Sequence, residues 1–144
     1  MTTAGAVVAA LTFVWLGMVF AISFLEAPLK FRAPGVTLPI GLGIGRLVFR
    51  ALNAAEVVWA VAILIALVLG SWPGVAVPTT AGVAIAALGV QLVAVRPALT
   101  KRSDAVLAGH EGPRSPAHLV YVAVEVIKVA ALIWLGTAVL VSAT

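Results

Sequence analysis

Four long apolar runs, each close to the length of one membrane crossing, constrain this chain more than any other feature. They cover roughly residues 6–26, 51–70, 76–95 and 117–141. The hydrocarbon core of a bilayer is about 30 Å thick, and about 20 apolar helical residues cross it. We therefore predict an all-α integral membrane protein, a single transmembrane domain over residues 1–144 that forms a bundle of four transmembrane helices.

Composition excludes a water-soluble fold. Hydrophobic residues make up 63% of the chain and charged residues only 10%, and the mean hydropathy is +1.21. A soluble domain of 144 residues could not bury that much apolar surface. The chain has no cysteine, which excludes disulfides, thiolate nucleophiles and cysteine-bound metal centres.

The connections between the runs differ in length. The sequence GSWPG at 70–74 predicts a tight turn between the second and third spans. Between the first two spans, the prolines of APLKFRAPG should end one helix, and LGIGRLVFRALN should start another as an amphipathic lead-in to the second span. The first run lacks a charged leading region and is too long for a secretory signal, so we expect it to be a retained span.

The distribution of positive charge predicts the orientation in the membrane. Eight of the nine lysines and arginines lie in the first and third connections: Lys30, Arg32, Arg46, Arg50, Arg96, Lys101, Arg102 and Arg114. Short basic connections stay in the cytoplasm. We therefore expect a multi-pass protein of the inner (plasma) membrane, with both termini on the non-cytoplasmic side.

Polar residues inside the apolar runs predict a site. At about 100° per residue, four polar side chains share an arc of about 80° on the fourth helix, and four others share about 120° on the second. Further polar residues end the first and third runs at a similar depth. Charged groups inside a membrane rarely face lipid, so we predict a buried polar cluster in the cytoplasmic half, with a drier outer half of Val, Leu, Ala and Trp. The candidate ligand- or ion-binding residues are Glu125, Lys128, His118, Tyr121, Glu56, Arg46, Arg50, Asn53, Glu26, Gln91 and Arg96.

Two interpretations of these polar residues stay open. Glu125 and Lys128 are three residues apart and could form an in-helix pair, which either binds a proton or ion on a transport path or only fixes the helix rotation. Arg46 and Arg50 could extend to the membrane surface, bridge to Glu56, or bind the phosphates of anionic lipids.

The sequence lacks the motifs of metal sites, phosphate-binding loops and serine nucleophiles. His110, Glu111 and His118 do not have the spacing of a metal site, and GLGIG at 41–45 has no preceding strand and no following GK[ST]. No serine sits in a nucleophile elbow. We predict no catalytic residue, cofactor or metal. Gly82, Ala86 and Gly89 form a small-residue face that suits close helix packing within the bundle or between protomers.

A resemblance covers most of the chain. The stretch WLGMVFAISFLEAPLKF at 15–31, the glycine-bearing GRLVFRALN at 45–53, the Arg-Pro pair after the third run and the histidine opening the fourth form a pattern. It resembles the small four-helix membrane proteins grouped with transmembrane protein 205 and, more distantly, the copper-resistance D membrane domain. The first resemblance implies a four-helix bundle of poorly defined function. The second implies metal handling through histidine and methionine, of which this sequence has two each, without clusters.

The first functional hypothesis is a small membrane protein that binds or translocates a small solute or ion through the polar cluster. Four helices barely enclose a path, so this hypothesis expects a homo-oligomer. An accessory or structural subunit of a larger membrane complex is the second hypothesis. A lipid-modifying enzyme that uses Glu125, His118 and Tyr121 as acid–base groups ranks last, because no nucleophile or metal set accompanies them. The expected partners are the bilayer, anionic lipid head groups and other membrane subunits, not nucleic acid, since no basic stripe with interleaved aromatic residues is present.

Overall fold

Four long helices make up the structure, a computed structural model that describes residues 1–109 and 116–144. They are α1 (Thr3–Arg32), α2 (Leu38–Leu69), α3 (Ala76–Leu107) and α4 (Pro116–Ser142), and each is long and apolar enough to cross a membrane. Within the described ranges the chain forms helices and connections and no strand. The predicted all-α architecture with four candidate spans is therefore confirmed.

The helix starts follow from local sequence. The Thr2 hydroxyl accepts a hydrogen bond from the backbone N–H of Gly5 at 3.0 Å and caps α1. The Thr37 hydroxyl caps α2, which carries a proline in its first turn. Such caps satisfy backbone donors that have no partner inside the helix. The connections turn at Gly35 and Gly74, whose φ angles of 81° and 97° suit glycine.

The amphipathic lead-in is continuous with the second span. Residues Leu38–Leu69 form one helix of 32 residues, which at about 1.5 Å per residue is about 48 Å long. That length exceeds the hydrocarbon core of about 30 Å. The end of the bundle that carries Lys30 and Arg46, with the first turns of α2 and the last turns of α3, is here called the basic end.

The helices form an up-and-down ring. α1 packs against α2 and α4, and α3 packs extensively against α4 and less extensively against α2. Neighbours in sequence are thus neighbours in space, as short connections favour. In this ring α2 and α4 lie on one diagonal, so any side-chain contact between them crosses the centre of the bundle.

The apolar core occupies the half of the bundle away from the basic end. It is built mainly from alanine, valine, leucine and isoleucine, and its fully buried members include Val8, Ile63, Ala81, Ala84, Leu132 and Val139. Small residues let the helix backbones approach closely, which favours packing inside a bilayer. Large apolar side chains also cover the outer surface, among them Val68, Leu69, Val93 and Trp134, as expected for a surface in contact with lipid.

Two of the helices widen before a proline. α1 is π-helical over Phe20–Glu26 and α3 over Gln91–Val95, and Pro28 and Pro97 each follow by two residues. Proline lacks an N–H and clashes with the carbonyl four residues earlier. A π-helical turn is a recognised way to absorb such an interruption without breaking the helix.

Gly136 on α4 is tightly enclosed, and we expect Gly136→Leu to disrupt the α1–α4 contact. A Cβ atom at Gly136 would lie 2.7 Å from Phe13 Cζ, whereas one at Gly82 on α3 would meet nothing within 4 Å. Overpacking of this kind costs about 1–3 kcal/mol. Thermal unfolding in detergent should therefore show a lower midpoint for Gly136→Leu and little change for the control Gly82→Leu. Equal midpoints would contradict the observed packing.

Candidate functional site

Lys128 is the centre of the candidate site. The side chain is 0% exposed. Its ammonium contacts Glu56 Oε1, lies 2.6 Å from Glu125 Oε1 and donates to Gln91 Oε1 at 2.8 Å. An ammonium has three donors, and all three have an oxygen partner here. The predicted in-helix pair of Glu125 and Lys128 is therefore present, but it belongs to a larger arrangement.

Glu56 on α2 is the second carboxylate of this arrangement. It is 0% exposed, and besides the Lys128 ammonium its Oε1 accepts a hydrogen bond from Trp15 Nε1 at 2.9 Å. Its other oxygen, Oε2, is buried without a hydrogen-bond partner among the described residues. Oε1 of Glu56 thus accepts from two donors, whereas Oε2 accepts from none among the described residues.

Glu125 on α4 is 1% exposed. Its Oε2 accepts a hydrogen bond from the Ser23 hydroxyl at 2.9 Å, and its Oε1 faces Lys128. Ser23 lies in the π-helical segment of α1, and Gln91 lies in that of α3. Both widened turns therefore direct a polar side chain toward the centre of the bundle.

All four helices contribute to this group, which we call the buried cluster: Trp15 and Ser23 from α1, Glu56 from α2, Gln91 from α3, and Glu125 and Lys128 from α4. The contact between Glu56 and Lys128 crosses the diagonal of the ring. Lys128 lies about 18 Å along α4 from Pro116, at about 1.5 Å per residue. The cluster therefore lies near the middle of the length of α4.

The charges of the buried cluster do not balance. Glu56 and Glu125 carry two negative charges when ionised, and Lys128 carries one positive charge, which leaves one negative charge in excess. Burying an uncompensated charge costs several kcal/mol, so such groups bind a proton or a counter-ion instead. The arrangement is therefore suited to hold one additional positive charge, as a bound proton or a counter-ion.

An aromatic layer separates the cluster from the basic end. The rings of Phe49 and Tyr121 meet edge to face with centroids 5.8 Å apart. The Arg96 guanidinium carbon lies 5.2 Å from the Phe49 centroid and 5.9 Å from that of Tyr121, and Lys30 Nζ lies 5.7 Å from the Phe49 centroid. These contacts are within the range of cation–π attraction.

Two further predicted residues are buried beside the cluster. Asn53 lies one turn before Glu56 on α2, and Tyr121 lies one turn before Glu125 on α4. Asn53 Oδ1 and the Tyr121 hydroxyl are buried, and neither has a hydrogen-bond partner within the described part of the chain. Buried polar atoms of this kind are usually satisfied by water or a ligand.

The remaining candidates lie outside the cluster. Glu26 pairs with Lys30 at 3.7 Å and Arg46 with Asp104 at 2.8 Å, while Arg50 and His118 are exposed. The alternative of a bridge from Glu56 to Arg46 or Arg50 is wrong, because Glu56 pairs with Lys128 instead. The physical reason is the distance along α2, because Arg46 lies ten residues, or about 15 Å, nearer the basic end than Glu56.

Trp15 and Ser23 were not among the predicted residues, although a helical projection of the first span would have found them. At about 100° per residue, Thr12, Trp15, Ser23 and Glu26 fall within an arc of about 80°. Thr12 is also buried, and its hydroxyl has no hydrogen-bond partner among the described residues. α1 therefore carries a polar stripe like those of the second and fourth spans, made of weaker polar groups.

Among the described residues, no group of three or more His, Asp or Glu side chains has a geometry that could hold a metal ion. His110 and Glu111, considered above for metal, lie outside the described residues. His118 is exposed, while Tyr121 and Glu125 are buried. The three acid–base groups of the enzyme hypothesis therefore do not converge on one site.

Comparison with protein-family models, curated proteins and solved structures found no match to this chain. The resemblance to transmembrane protein 205 and to the copper-resistance D domain stays a prediction.

Removing the Lys128 ammonium should lower the stability of the fold, and two further substitutions should restore most of that stability. Lys128→Met leaves two buried carboxylates without a cationic partner, and breaking a buried ion pair costs about 3–5 kcal/mol. We expect a clearly lower unfolding midpoint in detergent. Adding Glu56→Gln and Glu125→Gln to Lys128→Met should restore most of it, because no buried charge is left. A triple variant no more stable than Lys128→Met would contradict the ion-pair assignment.

Proposed function

We propose that this protein is a multi-pass membrane protein that binds a small cation at the buried cluster and translocates it across the bilayer. The observation that carries the proposal is the second buried carboxylate, whose charge Lys128 alone does not neutralise. A cation in the cluster would bring its net charge to zero. Glu56 Oε2, which has no hydrogen-bond partner among the described residues, leaves the cluster with an unsatisfied acceptor as well.

A purely structural role accounts less well for this composition. Fixing the rotation of two helices requires one carboxylate and one ammonium, and Glu56 with Lys128 would suffice. A buried ion pair adds little net stability even when it is balanced. A further carboxylate without a further cation lowers stability, and ionisable residues inside a span are most often functional. A purely structural role therefore does not explain why Glu125 is present in the cluster.

The position of the cluster favours access from the basic end. On that side it is bordered by the aromatic layer and by polar side chains, and on the other side by the apolar core. Release on the opposite side would require the helices to separate in the apolar half. The π-helical segments of α1 and α3 lie at the level of the cluster and are natural places for such bending.

The expectation of a homo-oligomer changes in one respect. The buried cluster is built by all four helices of a single chain, so binding does not require a second copy. A homo-oligomer remains part of the proposal for the translocating form. Gly82, Ala86 and Gly89 are exposed on α3, and no atom lies within 4 Å of a Cβ built at either glycine.

This same exposed face supports the second candidate function, an accessory subunit of a larger membrane complex. A helix of a partner could approach the α3 backbone closely at Gly82 and Gly89, because small residues permit tight helix contacts in lipid. The two candidates differ in what the cluster does. In the accessory subunit it holds the helices in register, and in the transporter it binds the cation.

We propose that the basic end faces the cytoplasm of an inner (plasma) membrane and that the opposite end, which carries residues 3, 70–75 and 142, faces outward. The support is the positive charge concentrated at one end and the positive-inside rule. Arg46 and Arg50 are exposed at that end and could contact anionic lipid head groups there.

The absence of cysteine makes this orientation directly measurable, because single cysteines can be introduced without a background. Ser71→Cys lies in the connection between α2 and α3, and Thr100→Cys lies on the exposed surface of α3 near the basic end. In intact cells, a membrane-impermeant maleimide should label Ser71→Cys. It should label Thr100→Cys only after permeabilisation. The reverse pattern would invert the proposed topology.

Glu125→Gln tests the proposed function without removing the fold. The substitution would leave Lys128 paired with Glu56, so the cluster becomes neutral and thermal stability should be retained or increased. Cation uptake into proteoliposomes under an imposed membrane potential should fall to the level of empty vesicles. The control is Asp104→Asn, which removes an exposed carboxylate and should leave uptake unchanged.

Unchanged behaviour of Glu125→Gln would contradict the proposed function. If Glu125→Gln transports or binds cations as the unmodified protein does, the cluster is not the cation site. Co-purification with another membrane protein at fixed stoichiometry, together with unchanged binding, would then favour the accessory subunit.

A further inference from the structure

We propose, resting on the cation-binding function above, that the bound cation is a proton and that it reaches Glu125 from the basic end through the hydroxyl of Tyr121. The observations behind this inference are the occupancy of the cluster by Lys128, the buried unpartnered hydroxyl of Tyr121 among the described residues and the contact of Tyr121 with Phe49 in the aromatic layer.

The ammonium of Lys128 occupies the position that a metal cation would need. It takes one oxygen of each carboxylate and the side-chain oxygen of Gln91. Hard metal cations need several oxygen ligands at once, six or more for calcium and magnesium. The oxygens still free would have to coordinate a metal ion within a few ångströms of a fixed positive charge. A proton needs only one carboxylate oxygen.

The Tyr121 hydroxyl is suited to pass a proton to the cluster. Tyr121 is 6% exposed and precedes Glu125 by one turn on the same face of α4. A phenol hydroxyl can donate and accept a hydrogen bond at the same time, yet this one has no partner within the described residues. Asn53 Oδ1 on the facing helix α2 is buried and, in the same part of the chain, unpartnered as well. Water between these groups would complete a hydrogen-bonded chain from the aromatic layer to Glu125.

The aromatic layer discriminates by size. With Phe49 and Tyr121 in edge-to-face contact at 5.8 Å, a hydrated metal ion can pass between these two rings only if they separate. A proton can pass by exchange at the Tyr121 hydroxyl, which is itself part of the layer. This arrangement therefore favours protons over hydrated metal ions.

The charged and titratable groups around this route come from every helix. Lys30 on α1, paired with Glu26, and Arg96 on α3 lie at the aromatic layer. In the cluster, Glu125 faces Lys128 on its own helix, with Glu56 of α2 on the other side of that ammonium. On uptake, an O–H bond breaks in hydronium at the basic end and an O–H bond forms at a carboxylate oxygen. The charge of the cluster changes from one negative charge to zero, and release reverses the step.

The test compares Tyr121→Phe with Glu125→Gln in proteoliposomes that contain a pH-sensitive dye. Tyr121→Phe keeps the ring against Phe49 and Arg96 and removes only the hydroxyl. We expect proton uptake driven by a membrane potential to fall at least tenfold in Tyr121→Phe, to vanish in Glu125→Gln and to be unchanged in Asp104→Asn. Tracer uptake of sodium and potassium should stay at the level of empty vesicles for the unmodified protein and all three variants.

A second measurement separates the relay from the binding site. Infrared difference spectra between high and low pH should contain the carbonyl band of a protonated carboxylic acid. We expect that band to persist in Tyr121→Phe, which slows delivery but leaves the carboxylate, and to disappear in Glu125→Gln.

Each alternative outcome would contradict the tyrosine relay, the identity of the cation or the proposed function. Full proton uptake by Tyr121→Phe, with loss in Glu125→Gln, would reject the tyrosine relay and leave the proposed function standing. Uptake of sodium or potassium that depends on Glu125 would reject the proton as the cation. If Glu125→Gln changes neither uptake nor the infrared band, both the inference and the proposed function fail.

Discussion

The contact of one buried ammonium with two buried carboxylates is the constraint on which the rest of the structure depends. Lys128 can lie inside an apolar bundle only if anionic partners reach it, because an isolated buried charge costs far more than packing returns. Glu56 meets it across the diagonal of the ring, and Gln91 meets it from α3. With Trp15 of α1 bonded to Glu56, the rotation of all four helices is set at one level.

The bundle is divided along its length into two halves of different character. Away from the basic end, small and aliphatic residues pack closely and exclude water. Toward the basic end, buried polar atoms without partners among the described residues accumulate. The π-helical segments lie at this boundary, and the proline after each interrupts the regular hydrogen bonding of α1 and α3. Stability therefore comes mainly from one half and polar chemistry from the other.

Much of the site could be predicted because it follows helical periodicity. Glu125 and Lys128 are three residues apart and were expected on one face, and their pairing is observed. The same periodicity put His118 on the polar face of α4, but His118 is exposed. A position on that face does not ensure burial in the first turn of a helix. Trp15 and Ser23 were missed because their polar atoms are few and their side chains count as apolar or neutral.

The sequence by itself determined the four spans, their connections and which helix faces carry polar groups, since hydropathy and the 3.6-residue period are local properties of the chain. Only the tertiary structure decided that Lys128 serves both Glu56 and Glu125, and that Arg46 pairs with Asp104 instead of Glu56. These choices depend on the order and rotation of the helices in the ring. They are set by packing between residues as far as 102 positions apart, which no local pattern specifies.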